Sequence, residues 1–199
     1  MNTNKLYQTN LIETVRKQEL EVNNFDAYSV EVLIDFLKVS HHRFINQSIP
    51  KVEQNFLILI KYFEDNEEIK TLFNLFLKFQ VDFKQHIEIE EKTIFLYSEV
   101  LHKASVSRSM EAVLLVHFSK YSIADFMSSH ENNECYLTEI IFLLAQQEPL
   151  KNHPIYNILL KQLCQFDNEL KTHGWVEDNV LVKKVQEIET AITDFVKND

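Results

Sequence analysis

Hydrophobic positions recur along this chain at three- and four-residue intervals, the spacing of one helix face, and not at the two-residue interval of a half-buried strand. Lys5 to Leu20 reads as a short amphipathic helix with Leu6, Leu11, Val15 and Leu20 on its apolar side. Ser29 is placed to cap a helix running toward Gln47, and Pro50 then starts or kinks the next segment. Asp65-Asn66 breaks the pattern before a long second helix over Glu67 to Leu101, and a serine-rich connection follows from Lys103 to Met110. A third helix is predicted from Tyr121 to Ala145, stopped by Gln146 to Pro149. The fourth starts at Pro154 and continues past Glu177, its spacing kept by Val185, Ile188, Ile192 and Phe195.

The apolar stripes carry polar residues that such stripes ordinarily exclude. His86 has Phe79, Phe83 and Ile89 at −7, −3 and +3, and His173 has Phe166, Leu170 and Val176 at the same offsets. Each histidine is followed four residues later by a carboxylate, Glu90 and Glu177, which a helix of 3.6 residues per turn stacks on the same face. A polar pair on a buried stripe needs a partner, and inside a bundle that partner is another inward polar group or a metal ion. His130 fits the same template, with Ile123, Met127 and Leu137 at −7, −3 and +7. In the first helix His41 and His42 point about 100° apart, so only one can face fully inward. His42 has Val39, Ile45 and Ile49 at −3, +3 and +7, whereas His41 has Ile34 and Phe44 but also Lys38 and Ser48, so the count favours His42.

His42, His86, His130 and His173 follow one another at intervals of 44, 44 and 43 residues. In an antiparallel bundle that regularity returns each histidine to one height, one per helix. Four imidazoles and two carboxylates at one level suit two metal ions better than one. Imidazole and carboxylate without thiolate suit iron, manganese or zinc, and a paired carboxylate site in a helical bundle points to iron. Ferritin-like di-iron bundles use Glu-x-x-His with more carboxylates, a pattern unlike the His-x-x-x-Glu found here.

These residues resemble the hemerythrin-like (HHE) domain, and within it the di-iron proteins that repair iron-sulfur clusters, the RIC family. The resemblance runs from about Ser29 to Val182. His42 precedes Pro50 by eight residues, as the family's first ligand histidine precedes a proline, within a degenerate Asn-Gln-Ser-Ile-Pro. The second motif appears as His86 to Phe95, the third as His130-Glu131-Asn132-Asn133-Glu134, and the fourth as His173 to Leu181. The resemblance implies His42, His86, His130 and His173 as terminal ligands of two iron ions, with Glu90 and Glu177 as bridging carboxylates. Glu134 falls outside that ligand set and reads as an acceptor for an imidazole N–H. Tyr97, eleven residues beyond His86, is a candidate phenol near the centre or an ordinary core tyrosine. The chain departs from the family where Leu-Phe-Pro closes the second and fourth motifs, and residues 1–24 lack the cysteine pair many members carry.

Composition agrees with long helices. One Gly and three Pro in 199 residues leave little material for turns, while hydrophobic residues make up 45% and phenylalanine alone numbers 15. The expected fold is all-α: an up-and-down four-helix bundle, hemerythrin-like, over residues 25–199, preceded by a short N-terminal helical extension at 1–24. A net charge of −10 leaves no basic face for a phosphate backbone, so no nucleic-acid partner is expected. Cys135 and Cys164 have no CxxC spacing and read as inert thiols in a reducing cytoplasm. No stretch resembles a signal peptide or membrane span. Gly174, the single glycine, stands beside His173 inside a helix, where it costs about 1 kcal/mol against alanine. His102, His117 and His153 lie near predicted ends and read as solvated. The family resemblance implies damaged iron-sulfur proteins as partners and iron donation or cluster protection under oxidative or nitrosative stress as the role. The alternative is a module that binds oxygen or nitric oxide without catalysis.

Overall fold

The computed structural model describes residues 25–107, 122, 123, 126, 135–147 and 150–198. Among them there is no strand, and the fold is all-α. After a single 3-10 turn at Phe25–Ala27 come α1 (Val30–Arg43), α2 (Ile49–Tyr62), α3 (Glu67–Lys92), α4 (Ile94–Ser107), α5 (Cys135–Ala145), α6 (Pro154–Val176) and α7 (Val182–Asn198). No helix among the described residues is long and apolar enough to cross a membrane. The amphipathic stretch Lys5 to Leu20 and most of the predicted third helix before Cys135 lie outside the described residues.

The starts are where the caps put them. The Ser29 hydroxyl accepts from the Val32 N–H at 3.4 Å, and the Asn66 side chain accepts from the Ile69 N–H at 2.9 Å. Glu67 and Glu68 fill the first turn of α3, where carboxylates oppose the positive end of the helix dipole. Pro154 opens α6, with His153 as its cap: the ring Nδ1 accepts from the Ile155 N–H at 3.3 Å.

The interiors differ from a uniform 3.6-residue reading in three places. Pro50 does not end the first helix. A wide π turn at Phe44–Ser48, closed by the Ile49 N–H on the Phe44 carbonyl, carries the chain into α2. That extra residue accommodates a proline that has no N–H to donate and whose ring would crowd the carbonyl four residues back. The long helix expected over Glu67 to Leu101 breaks at Thr93, whose backbone sits at φ −116°, ψ −83°. Its hydroxyl bonds back to the Ile89 carbonyl at 2.7 Å, an arrangement that bends helices. A second π turn, Glu177–Leu181, separates α6 from α7.

Two apolar clusters lie on either side of these breaks. In the first, α2, α3, α5 and α6 close a ring in which α2 packs on α3 and α6, and α5 packs on α3 and α6. Phe44, Phe56, Phe76, Phe79, Phe83 and Phe166 fill it, each worth about 1.5–3 kcal/mol of burial. In the second, α4 packs on α1 and α7, around Leu33, Ile34, Leu37, Phe95, Leu101, Val180 and Val185. Polar side chains at the level of the three breaks therefore have apolar cores on both sides.

Candidate metal centre

Each break brings one part of a polar cluster inward. His41 stands in the last turn of α1, three residues before the first π turn, and is buried. Glu90 stands three residues before Thr93, His173 in the last turn of α6, and Glu177 opens the second π turn. Glu90 and Glu177 are each only 1% exposed, so neither carboxyl is solvated by bulk water.

The side chains converge. His86 Nε2 lies 2.6 Å from Glu90 Oε1, and His41 Nε2 lies 3.1 Å from Glu90 Oε2. The same His41 Nε2 is 3.1 Å from His173 Nε2, while its other nitrogen, Nδ1, is 2.9 Å from Glu91 Oε1. Phe95 stacks on the His41 ring at 5.4 Å, and Phe44 meets the His173 ring edge-on at 5.6 Å. Aromatic walls thus hold both imidazoles.

The electrostatics follow from burial. Burial, and then the neighbouring His41, hold His173 down to about 3, so its imidazole is neutral at physiological pH and keeps a lone pair. Burial and the adjacent Glu90 carboxyl, to which it is hydrogen-bonded, hold Glu177 well above the usual carboxylate range. Two buried carboxyls in contact cannot both ionise cheaply, so Glu177 keeps a proton. Glu177 Oε1 and His173 Nδ1 are buried with no hydrogen-bond partner among the described residues.

These residues fit a cation. Ligand atoms of His41, Glu90 and His173 all lie within 4.8 Å of one another. Two ligand atoms about 2.1 Å from one ion and at right angles to each other are about 3 Å apart, close to the 3.1 Å separations found here. Neutral imidazole and carboxylate suit a borderline transition metal. A cation would also replace the proton that Glu177 holds against Glu90, relieving the like-charge contact.

Of the residues singled out from the sequence, His86, Glu90, His173 and Glu177 come together. His42 does not: it is exposed, and the inward histidine of the first helix is His41. The reason is the π turn. Ile45 and Ile49 lie within and beyond an inserted residue, so their offsets from His42 do not report the face of α1; the buried series is Ile34, Leu37, His41, Phe44, Ile49. Ile89 is also turned outward, and the buried stripe of α3 passes through Phe83, Ile87 and Glu90, leaving His86 partly exposed on its flank. Tyr97 belongs to the second core, its hydroxyl bonded to Glu189 of α7. His130, Glu134 and His117 lie outside the described residues. His41 was the alternative weighed against His42, and Glu91 is the residue the sequence reading passed over. The signal for Glu91 was available in the doubled Glu90-Glu91, since consecutive helix positions diverge by about 100° and can grip two sides of one ring.

No family model, no curated protein and no solved structure matches this chain.

Proposed function

We propose that this chain is a non-haem di-iron protein of the hemerythrin-like kind, an up-and-down four-helix bundle in the cytoplasm that supplies or protects iron for damaged iron-sulfur clusters. The observation that carries the metal reading is the convergence of buried His41, Glu90, His173 and Glu177, with His86 at its edge, and with Glu177 Oε1 and His173 Nδ1 lacking partners among the described residues. What supports iron and repair is the resemblance of the four histidine motifs to the RIC family. In this reading His41, His86 and His173 would be imidazole ligands and Glu90 and Glu177 the carboxylates that hold the ions, while the resemblance implies His130 as the fourth imidazole.

A bound iron pair supplies redox chemistry and open positions for small molecules. The chain's own residues set the terms. Phe44 and Phe95 keep water from the imidazoles of His173 and His41, neutral His173 offers a lone pair without first losing a proton, and Glu177 holds a proton that it would have to release to act as a ligand. The apolar rings beside the cluster also suit an uncharged diatomic, which favours oxygen or nitric oxide binding as the second reading.

Iron content and the absorption spectrum of the purified protein test the proposal, beside a Glu90→Ala, Glu177→Ala double variant. Wild type is expected to hold about two iron ions per chain and the double variant none. A wild type without iron, or a double variant that keeps it, sinks the di-iron reading. Incubating the loaded protein with a damaged iron-sulfur enzyme separates the roles: restored activity supports repair, whereas diatomic binding without restoration leaves the binding module.

A further inference from the structure

The imidazole of His41 has a carboxyl near each nitrogen, from consecutive residues of α3, and is hydrogen-bonded to the outer one. Glu90 Oε2 faces Nε2 at 3.1 Å from the buried side, and Glu91 Oε1 faces Nδ1 at 2.9 Å from the other. The two carboxyls have unlike surroundings: Glu90 is 1% exposed and the Glu91 side chain 41%. Phe95, stacked nearly parallel on the ring with 13° between planes, removes the freedom to rotate out of this grip.

We infer that Glu91 is the positioning residue of the centre: it accepts the His41 Nδ1–H, and so fixes the tautomer that leaves Nε2 as a lone-pair donor toward Glu90 and His173. A neutral imidazole carries one N–H, and Nε2 can ligate only when that hydrogen resides on Nδ1. Left without the Glu91 acceptor, the ring would favour placing its hydrogen on Nε2, against the buried Glu90 carboxyl at 3.1 Å, and the ligand position would be blocked. Carboxylate to histidine to metal is the arrangement by which an outer acceptor raises ligand basicity and fixes ring orientation. His173 has no such partner among the described residues, its Nδ1 being buried and unbonded, so the two imidazoles that meet at 3.1 Å are held by different means. His41 is locked by a carboxylate that reaches solvent, His173 by burial and its Phe44 edge contact.

This inference rests on the metal reading above, and its test separates the two. Affinities for ferrous iron and for zinc are measured by chelator competition on wild type, Glu91→Ala, Glu91→Gln and the Glu90→Ala, Glu177→Ala double variant. Nitrogen-15 spectra of the zinc-loaded forms report which His41 nitrogen carries hydrogen. Glu91→Ala is expected to weaken binding by roughly 10- to 100-fold, with unchanged helix content and a hydrogen on Nδ1 that exchanges faster with water. Glu91→Gln, which keeps a side-chain oxygen acceptor, recovers most of the loss. If wild type binds neither ion, the metal reading fails and this inference with it. If wild type binds, the double variant does not, and Glu91→Ala stays within twofold of wild type with the Nδ1 signal unmoved, the role of Glu91 alone is overturned.

Discussion

Asp167 and Glu177 stand ten residues apart on one helical run, both are buried, and their surroundings are opposite. Asp167 is closed: Oδ1 accepts from the Thr138 hydroxyl at 2.9 Å and Oδ2 from the Lys171 ammonium at 2.6 Å. Glu177 faces another carboxyl, Glu90, and its Oε1 has no partner among the described residues. A buried carboxylate with its hydrogen bonds complete is a structural joint, worth about 1.5–3 kcal/mol for each bond to a charged group. A buried carboxyl set against its own kind lowers the stability of the metal-free fold, and such an arrangement persists where something else uses it. Burial is the first cause of the raised Glu177 value, and the partners widen the difference: Asp167 has a donor on each oxygen, whereas Glu177 meets a second carboxyl.

The sharpest way to separate the two regions is pH, because the cluster titrates from both sides. In the unfolded chain His173 binds a proton near pH 6.5, and in the fold not until about 3. The unfolded state therefore holds the extra proton below 6.5, and metal-free stability falls as pH drops through that range. One proton corresponds to a slope of about 1.4 kcal/mol per pH unit, so His173 alone should cost roughly 2 kcal/mol between pH 6.5 and 5. Glu177 has the opposite sign: its raised value contributes stability below about 4.5 that is lost as pH rises through the folded value. Urea unfolding of the metal-free protein measures both. Between pH 4.5 and 6.5 the two slopes oppose each other, so His173→Asn should leave stability falling as pH rises, and Glu177→Gln should leave it falling as pH drops, without lowering stability at pH 7. Identical pH profiles for wild type and both variants would erase the contrast.

A smaller effect is expected at the closed site. Asp167→Ala removes the acceptor for Thr138 and Lys171, but both donors lie near the surface and can turn to water. The loss should be about 1–2 kcal/mol, at the low end for a charged hydrogen bond, with metal affinity unchanged. A change in metal content would show that the two regions are not independent.

Much of this arrangement was legible in the chain. Ser29 and Asn66 locate helix starts because their side chains satisfy N–H groups, and Pro154 because a first helical residue needs no N–H to donate; this is local chemistry that needs no tertiary information. His86 with Glu90, and His173 with Glu177, were legible because four residues separate each pair and the chain between them is still α-helical, Glu177 being the first residue of the π turn. What could not be read was the helical phase across the breaks. A π turn adds one residue without interrupting hydrophobicity, and Thr93 bends a helix through a hydroxyl bond that composition does not announce. His42 was chosen by counting through such a turn; offsets taken only from the N-terminal side, to Ile34 and Leu37, select His41.

That correction yields the smallest prediction and the cleanest control. His42 is exposed at the outer side of α1, and the Asn46 side chain bonds only to its backbone carbonyl, at 2.9 Å. His42→Ala should change stability by no more than about 0.5 kcal/mol, as solvated helix positions do, and leave metal affinity where it was. His41→Ala, one residue away, removes the ring that meets Glu90, Glu91 and His173 together, and should abolish tight binding. Helix propensity is nearly the same for the two substitutions, so any difference between them measures the inward direction of a single side chain. If His42→Ala lost metal binding and His41→Ala kept it, the π turn at Phe44–Ser48 would have to be absent in solution, and the stripe would run as an unbroken 3.6-residue count after all.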